Sequence, residues 1–243
     1  MTKKILKLIY RKSRNILDQI KQIIQRRKAE SFYKKMIGSN KLVFDIGANI
    51  GEKTRIFNKL RNKVVAVEPQ NDLCQNLKKR FAEKPEVIIE HAGVSNQEGE
   101  LILNISSKYH GFSSFDEHWQ EGTKYHCFDR QEKVRITTLD KLIEKYGLPY
   151  FCKIDVEGYE LEVLKGLSRK IPYISFEFHS ENFNLAEKSL DILKTLGYKR
   201  FNYEINERTE FAMKQWVGKT ELVEKIKSAM ITNTSLWGDI FCR

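Results

Sequence analysis

Cysteine is scarce and scattered in this chain. Cys74, Cys127, Cys152 and Cys242 are the four among 243 residues, and no close pair of them has the spacing of a zinc site or a disulfide framework. A reducing compartment is expected. No apolar run approaches the ~18–20 residues of a membrane span. Nor does a short apolar core with a small-residue cleavage site follow the basic start, so the chain is expected in the cytoplasm. Acidic residues are nearly missing from the first 35 positions, which hold 12 Lys or Arg against Asp18 and Glu30; the other 208 residues carry 31 basic and 30 acidic side chains. The near-neutral body argues against a domain that grips a nucleic-acid backbone, whose basic footprint would spread over the fold. With 41% hydrophobic residues, the length suits one core with an appendage. The expected division is residues 1–35 as a basic helical segment and 36–243 as the domain.

In that segment Ile5, Leu8, Ile9, Ile16, Ile20, Ile23 and Ile24 recur at mostly helical spacing, with Lys3, Lys4, Lys7, Arg11, Lys12 and Arg14 between them. This is the pattern of a basic amphipathic helix. Two kinds of partner suit it. One is an anionic membrane surface, giving peripheral contact through residues 1–30 at the inner face of the membrane. The other is protein: the chain's own domain, or a second copy in a homodimer.

A second glycine is also missing where a dinucleotide would need it. Leu42-Val-Phe-Asp-Ile-Gly47-Ala-Asn49-Ile-Gly51 is an apolar run ending in Asp45 and breaking into glycines before a helical pattern, the signature of a buried strand turning into a helix. Ala48 and Asn49 stand inside the turn, so the Gly-x-Gly-x-x-Gly spacing that admits a pyrophosphate fails. Gly47 lets the backbone bend, and Gly51 lets the helix pack close and a ligand approach the main chain. Asp45 would attract an ammonium or sulfonium, and Glu68, ending the next apolar run, can accept two ribose hydroxyls. Together these preferences suit S-adenosylmethionine better than a dinucleotide.

From residue 41 onward strands and helices alternate, the mark of a parallel sheet covered on both faces. Strands are expected over 42–46, 63–68 and 86–94, with helices over 51–60 and 72–82, the latter capped by Asn71 or Asp72. Ala92 and Val94 suit the faces of an adenine, and His91 is a weaker candidate for contact. Two further short strands, near 101–103 and 133–137, flank a polar and aromatic stretch. There Tyr109–Phe115, His118, Trp119, Tyr125 and His126 resemble a loop covering a substrate. Residues 150–156 form a strand ending in a charged cluster, in which Lys153 and Asp155 share one face by period two. The next strand ends in Glu177 and His179. A helix over 184–196, a strand over 198–204, an insertion over 205–234 and a last antiparallel strand at the edge over 235–242 complete the chain.

A hydroxyl attacking a sulfonium methyl must lose its proton to a positioned base, for which His179 or Asp155 is the candidate. Asp155, Glu157, Glu177 and His179 could instead hold a divalent cation, or form a buried charge network with Lys153 that only fixes the strand ends.

The runs Asp45-Ile-Gly-Ala-Asn-Ile-Gly51, Glu68-Pro69, Ala92-Gly-Val-Ser95, Thr138-Leu-Asp140, Lys153-Ile-Asp-Val-Glu-Gly-Tyr-Glu160 and Leu164-Lys-Gly166 resemble the FkbM-type methyltransferases over roughly residues 41–180. The resemblance implies a Rossmann-like class I methyltransferase fold: an α/β architecture with a seven-stranded, mostly parallel sheet and an antiparallel edge strand. It also implies S-adenosylmethionine as donor and a hydroxyl acceptor, typically on a sugar or a polyketide-like molecule. Asp45, Gly47, Asn49, Gly51 and Glu68 carry over as donor-binding positions. Lys153, Asp155, Glu157, Glu177 and His179 carry over as the cluster at the reacting hydroxyl. The expected activity is O-methylation of a small-molecule or glycan acceptor, as in a surface glycan or its precursor. Nucleic-acid methylation and a non-catalytic membrane or partner adaptor are the alternatives.

Overall fold

The computed structural model describes residues 2–108, 113–116 and 128–243, with side chains from Ile20 onward. The expected alternation is present. Helix α1 (Thr2–Ile37) leads into β1 (Leu42–Ile46), α2 (Glu52–Lys59), β2 (Lys63–Glu68), α3 (Asn71–Arg80) and β3 (Val87–His91). The short strands β4 (Gly93–Val94), β5 (Gly99–Ile105) and β6 (Arg130–Thr137) follow, then α4 (Leu139–Tyr146), β7 (Phe151–Ile154), α5 (Glu160–Lys165) and β8 (Tyr173–His179). The chain closes with α6 (Phe183–Thr195), β9 (Phe201–Tyr203), α7 (Lys219–Thr232) and β10 (Trp237–Cys242).

Seven strands form one sheet in the order β3-β2-β1-β7-β8-β10-β9, and β4-β6-β5 form a second, three-stranded sheet. All pairs from β3 to β8 are parallel, while β10 runs antiparallel to both β8 and β9. The last strand therefore lies one position in from the edge, which β9 occupies. Every β10 residue after Trp237 is buried between β8 and β9.

Period-two alternation sorts the sheet residues onto two faces. Val43, Val64, Phe151 and Phe241 pack against α1 and α2, and Ala66 packs against α3. Phe44, Val65, Cys152 and Phe176 meet α4, α5, α6 and α7 on the other side. Along the first face the next alternate positions are Asp45, Lys153 and Asp239, so this face turns from apolar to charged as it nears the carboxyl ends of β1 and β7. The strand order reverses between those two strands, which opens the crevice where ligands of such sheets collect.

Other differences from expectation have local causes. The run over 86–94 divides at Ala92 because Gly93 and Val94 pair with β6 instead. Gly93 permits this, since a Cβ there would lie 2.5 Å from the Phe115 ring and 2.7 Å from Ile136. Helix α3 has Gln70, not Asn71 or Asp72, at its N-cap, and no side chain caps it locally. Its first N–H groups are served from elsewhere: Gln70 N–H donates to Glu68 at 2.8 Å and Asn71 N–H to Glu132 of β6 at 3.1 Å. Of the aromatic stretch expected to cover a substrate, only Ser113–Asp116 lies inside the described residues. Cys74, Cys152 and Cys242 are buried free thiols.

The boundary expected near residue 35 falls inside α1. Ala29, Tyr33 and Ile37 belong to the core, and the Tyr33 ring meets Phe57 edge-on with centroids 5.0 Å apart. Farther up the helix Ile20, Ile23 and Ile24 are about half exposed. Among the described residues no helix is long and apolar enough to cross a membrane. Tyr33→Ala should lower unfolding free energy by about 3–5 kcal/mol. A lower urea midpoint at unchanged m-value would check this; an unchanged midpoint would detach α1 from the core.

Candidate active site

Two hollows meet at the reversal point. The first lies at the ends of β1, β2 and β4 and is lined by Gly47, Asn49, Glu68, Gln70, Ala92 and Val94, with Leu103 and Phe115 from the second-sheet side. Gly47 has φ 80°, and a Cβ on it would sit 1.8 Å from the Asp155 carbonyl oxygen; only glycine lets the β7 turn cross here. Asn49 is held left-handed at φ 50°, which aims its N–H at Glu68 Oε2, 2.7 Å away. Glu68 thus accepts from two main-chain N–H groups, and a carboxylate has about four lone-pair sites, so acceptor capacity remains for two hydroxyls. Burial nevertheless pushes Glu68 up to about 7 against those two N–H groups.

Not every expected donor residue faces this pocket. Gly51 turns away: at φ 81° it brings α2 against α3, where a Cβ would meet Leu77 at 2.6 Å and Phe81 at 2.9 Å. His91 is exposed and its Nε2 lies 3.0 Å from the Pro69 carbonyl, outside the pocket lining. Asp45 is buried beneath the turn, accepts from Thr54 Oγ1 at 2.5 Å, and lines the neighbouring cleft instead.

Ser113–Asp116 straps the pocket shut. Ser113 Oγ donates to Gln70 at 3.2 Å and Ser114 Oγ to the Glu157 carbonyl at 2.8 Å, and the Phe115 ring lies 5.6 Å from that of Tyr159. The closed volume is about 80 Å³, below the several hundred Å³ usual for ligand pockets.

The second hollow, a cleft of about 500 Å³, shares Gly47, Asn49 and Asp155 with the first and adds Lys53, Lys153 and Glu207 beneath Gln22 and Gln25 of α1. Lys153 Nζ is 2.5 Å from Asp155 Oδ2. Burial works against this ammonium, but Asp155, Asp239 and Asp45 around it hold it well above its ordinary value. Burial would raise Asp155; the charge and hydrogen bond of Lys153, the Lys53 charge and a hydrogen bond with Glu177 together hold the carboxyl below its ordinary value. Asp155 is therefore held ionised where the first pocket and the cleft join. Lys53 pairs with Glu207 at 2.7 Å. Glu207 belongs to a loop in which Asn206, Glu207 and Thr209 all have positive φ, a strained backbone of the kind that collects at functional sites.

Behind Asp155 lies a third group. Glu157, left-handed at φ 54°, Glu177 and His179 each bring one ligand atom within 4.8 Å of the others, and His179 Nε2 is 3.1 Å from Glu177 Oε2. Burial and the neighbouring acids push Glu157 and Glu177 well above the usual carboxyl range. These three residues have the ligand chemistry of a divalent-cation site; Asp155 of the expected four is not in the set. Glu177 and His179 line a small hollow against α6 and face neither the first pocket nor the cleft. Glu160, quoted above only as part of a sequence run, caps the turn after β7 by accepting from Val156 N–H at 3.0 Å and Gly158 N–H at 3.3 Å.

Sequence reasoning missed Lys53, Thr54, Glu207 and Asp239. Asp239 did carry a signal, a lone acid within an apolar strand, and the register sets it opposite Glu177. Nothing local marks Glu207.

Fold and crevice define the Rossmann-like methyltransferase class, and comparison with known proteins gives the family. The methyltransferase FkbM domain matches residues 45–205. This chain belongs to the FkbM methyltransferase family. It is 27% identical over 169 residues to the hexuronic acid methyltransferase AglP of Haloferax volcanii; the match takes in 68% of this chain and 64% of that protein's length. Among solved structures, the methyltransferase FkbM of Methylobacillus flagellatus KT superposes with a TM-score of 0.50 at 15% identity, over 84% of this chain and 44% of that one, and supports the fold.

Gly47→Ala should destroy the crossing of the β1 and β7 turns. The expected result is loss of adenosyl-ligand binding with a fall in thermal midpoint of several degrees. A variant that binds and melts like the parent would contradict the close approach.

Proposed function

We propose that this chain transfers a methyl group from S-adenosylmethionine to a hydroxyl of a sugar, in a glycan or a glycan precursor. Family membership supports methyl transfer, and hexuronic acid in the name of the Haloferax volcanii relative supports a sugar acceptor. The observation that carries the reading is the position of Asp155, an ionised carboxylate shared by donor pocket and cleft.

The residues present fit the donor. Glu68 offers acceptor sites to a ribose, Ala92, Val94, Leu103 and Phe115 offer apolar contact to a purine, and Gly47 leaves main chain open beside them. Entry requires outward movement of Ser113–Asp116, because the closed pocket is too small and two hydroxyl hydrogen bonds hold the strap. When bound, S-adenosylmethionine supplies an electrophilic methyl on a sulfonium. Asp155 accepts the hydrogen bond of the acceptor hydroxyl in the cleft, orients its lone pair and takes the proton as the oxygen gains the methyl, the methyl–sulfur bond breaking to leave a neutral thioether. Lys153 keeps Asp155 ionised between turnovers. Glu177 hydrogen-bonds Asp155 from behind, with Glu157 and His179 beside Glu177. Capture of the proton by a positioned carboxylate is worth typically 10²–10⁴-fold in rate.

Calorimetric titration of S-adenosylmethionine tests the donor site. Only ionised Glu68 can accept from both ribose hydroxyls, so affinity should rise about tenfold between pH 6 and pH 8, through the value near 7. Glu68→Gln should bind more weakly and show no such step. A pH-independent wild-type affinity would remove Glu68 from the ribose.

Turnover of sugar acceptors tests the base. Asp155→Asn should retain donor binding and lower kcat by about 10²-fold or more, while His179→Ala, facing neither hollow, should lose far less. Activity is expected to survive EDTA. Loss on chelation, restored by a divalent cation, would transfer proton removal to a metal held by Glu157, Glu177 and His179.

A further inference from the structure

The cleft does not end at its outer wall. Gln25 and Thr209 line both it and a second, larger groove of about 960 Å³, and the Gln25 amide donates to the Glu207 carbonyl at the junction. The groove follows α1 from Gln25 to Met36, about 16 Å at ~1.5 Å per residue. Phe32, Phe211 and Trp216 provide an aromatic wall, with Phe211 edge-on to Phe32 at 4.9 Å and to Trp216 at 5.1 Å.

Lys28, Lys35, Arg208 and Arg243 also line the groove, with Glu210 the one acidic side chain in the lining. Among the described residues none of these four cations forms an ion pair, whereas Arg26, Lys53, Arg55 and Lys59 beside them are paired with Glu52, Glu207 and Glu30. Arg243 instead lies over the Trp216 ring, 4.4 Å from its centroid. The groove thus joins cations without ion-pair partners to half-buried aromatic rings, and shares Gln25 and Thr209 with the cleft that Asp155 lines.

We propose that this groove binds the acidic sugar units of an extended glycan acceptor, so that one unit reaches Asp155 in the cleft while carboxylate-bearing neighbours lie along α1. The assignment rests on the sugar O-methylation proposed above and narrows its substrate class. A sugar ring has an apolar C–H face that packs on an aromatic ring, and a carboxylate pairs with a guanidinium or ammonium. An open groove passes a chain, where a closed pocket would hold a single residue. Single-stranded nucleic acid combines anionic charge with stacking as well. The relative named for hexuronic acid favours the glycan, and a single-stranded oligonucleotide is one arm of the test.

The test uses the full chain without donor. Tetragalacturonate, uncharged cellotetraose and a short single-stranded oligouridylate are each titrated by calorimetry and by tryptophan fluorescence, at two salt concentrations. The same titrations are run on the double variant Lys28→Glu with Arg208→Glu, two exposed side chains whose change leaves the core alone. Tetragalacturonate should bind the wild type in a salt-sensitive manner, cellotetraose much more weakly, and the double variant should lose about tenfold or more in tetragalacturonate affinity. S-adenosylmethionine affinity, measured on the same samples, should not change. Absence of tetragalacturonate binding, equal affinity in the double variant, or tighter binding of oligouridylate would each overturn the groove assignment. Failure of S-adenosylmethionine to bind the wild type would instead overturn the methyl-transfer reading on which it rests.

Discussion

The Lys153 ammonium is 2% exposed and stands among Asp155, Asp239 and Asp45. A buried ammonium is costly unless carboxylates surround it, and a buried carboxylate is costly unless a cation or donors do. Each side therefore holds the other in place. Register puts Lys153 beside Asp45 on the neighbouring strand, so the network ties β1, β7 and β10 together at the wall of the cleft. Its location follows from alternation alone: a face that is Val43, Phe151 and Phe241 deeper in the core becomes Asp45, Lys153 and Asp239 one alternate position on.

That network sets the two hollows apart. Asp155 leaves the end of β7 with its N–H donating to the Ile46 carbonyl at 3.0 Å, and its own carbonyl fills the space beside Gly47. The carboxylate is thereby fixed between a pocket whose polar groups suit a nucleoside and a cleft whose walls suit a hydroxyl compound. The second sheet contributes to the donor side, because its Leu103 and the strapped Phe115 supply apolar surface that the main sheet lacks. Helix α1 contributes to the acceptor side. Its last turns are core, and the preceding ones roof the cleft and wall the groove.

The glycine turn, the β7 run ending in Lys153 and Asp155, and the alternation of strands with helices were legible because each is a local pattern. An apolar run of four to six residues broken by glycine has few other foldings, and a glycine at φ 80° cannot be replaced quietly. Glu68 was legible for the same reason, as an acid ending a buried strand. What was not legible was non-local. Asp45 was expected at the donor, but the Thr54 hydroxyl draws it beneath the turn. The α3 cap was expected from Asn71 or Asp72, but Glu132, 61 positions away, supplies it. His179 was expected beside Asp155, and its side chain meets Glu177 in the hollow against α6.

The sequence by itself determined the elements, the position of the strand-to-helix turn and the identity of the acids that end β1, β2, β7 and β8, since these depend on residues within one or two turns of one another. Only the tertiary structure decided which of those acids share a space. Lys53 and Glu207 are 154 positions apart yet 2.7 Å apart, and α1 meets Phe211 and Trp216 across most of the chain's length. The order of strands in a sheet is set by how whole faces exclude water, a sum over many residues. No short run of residues records it.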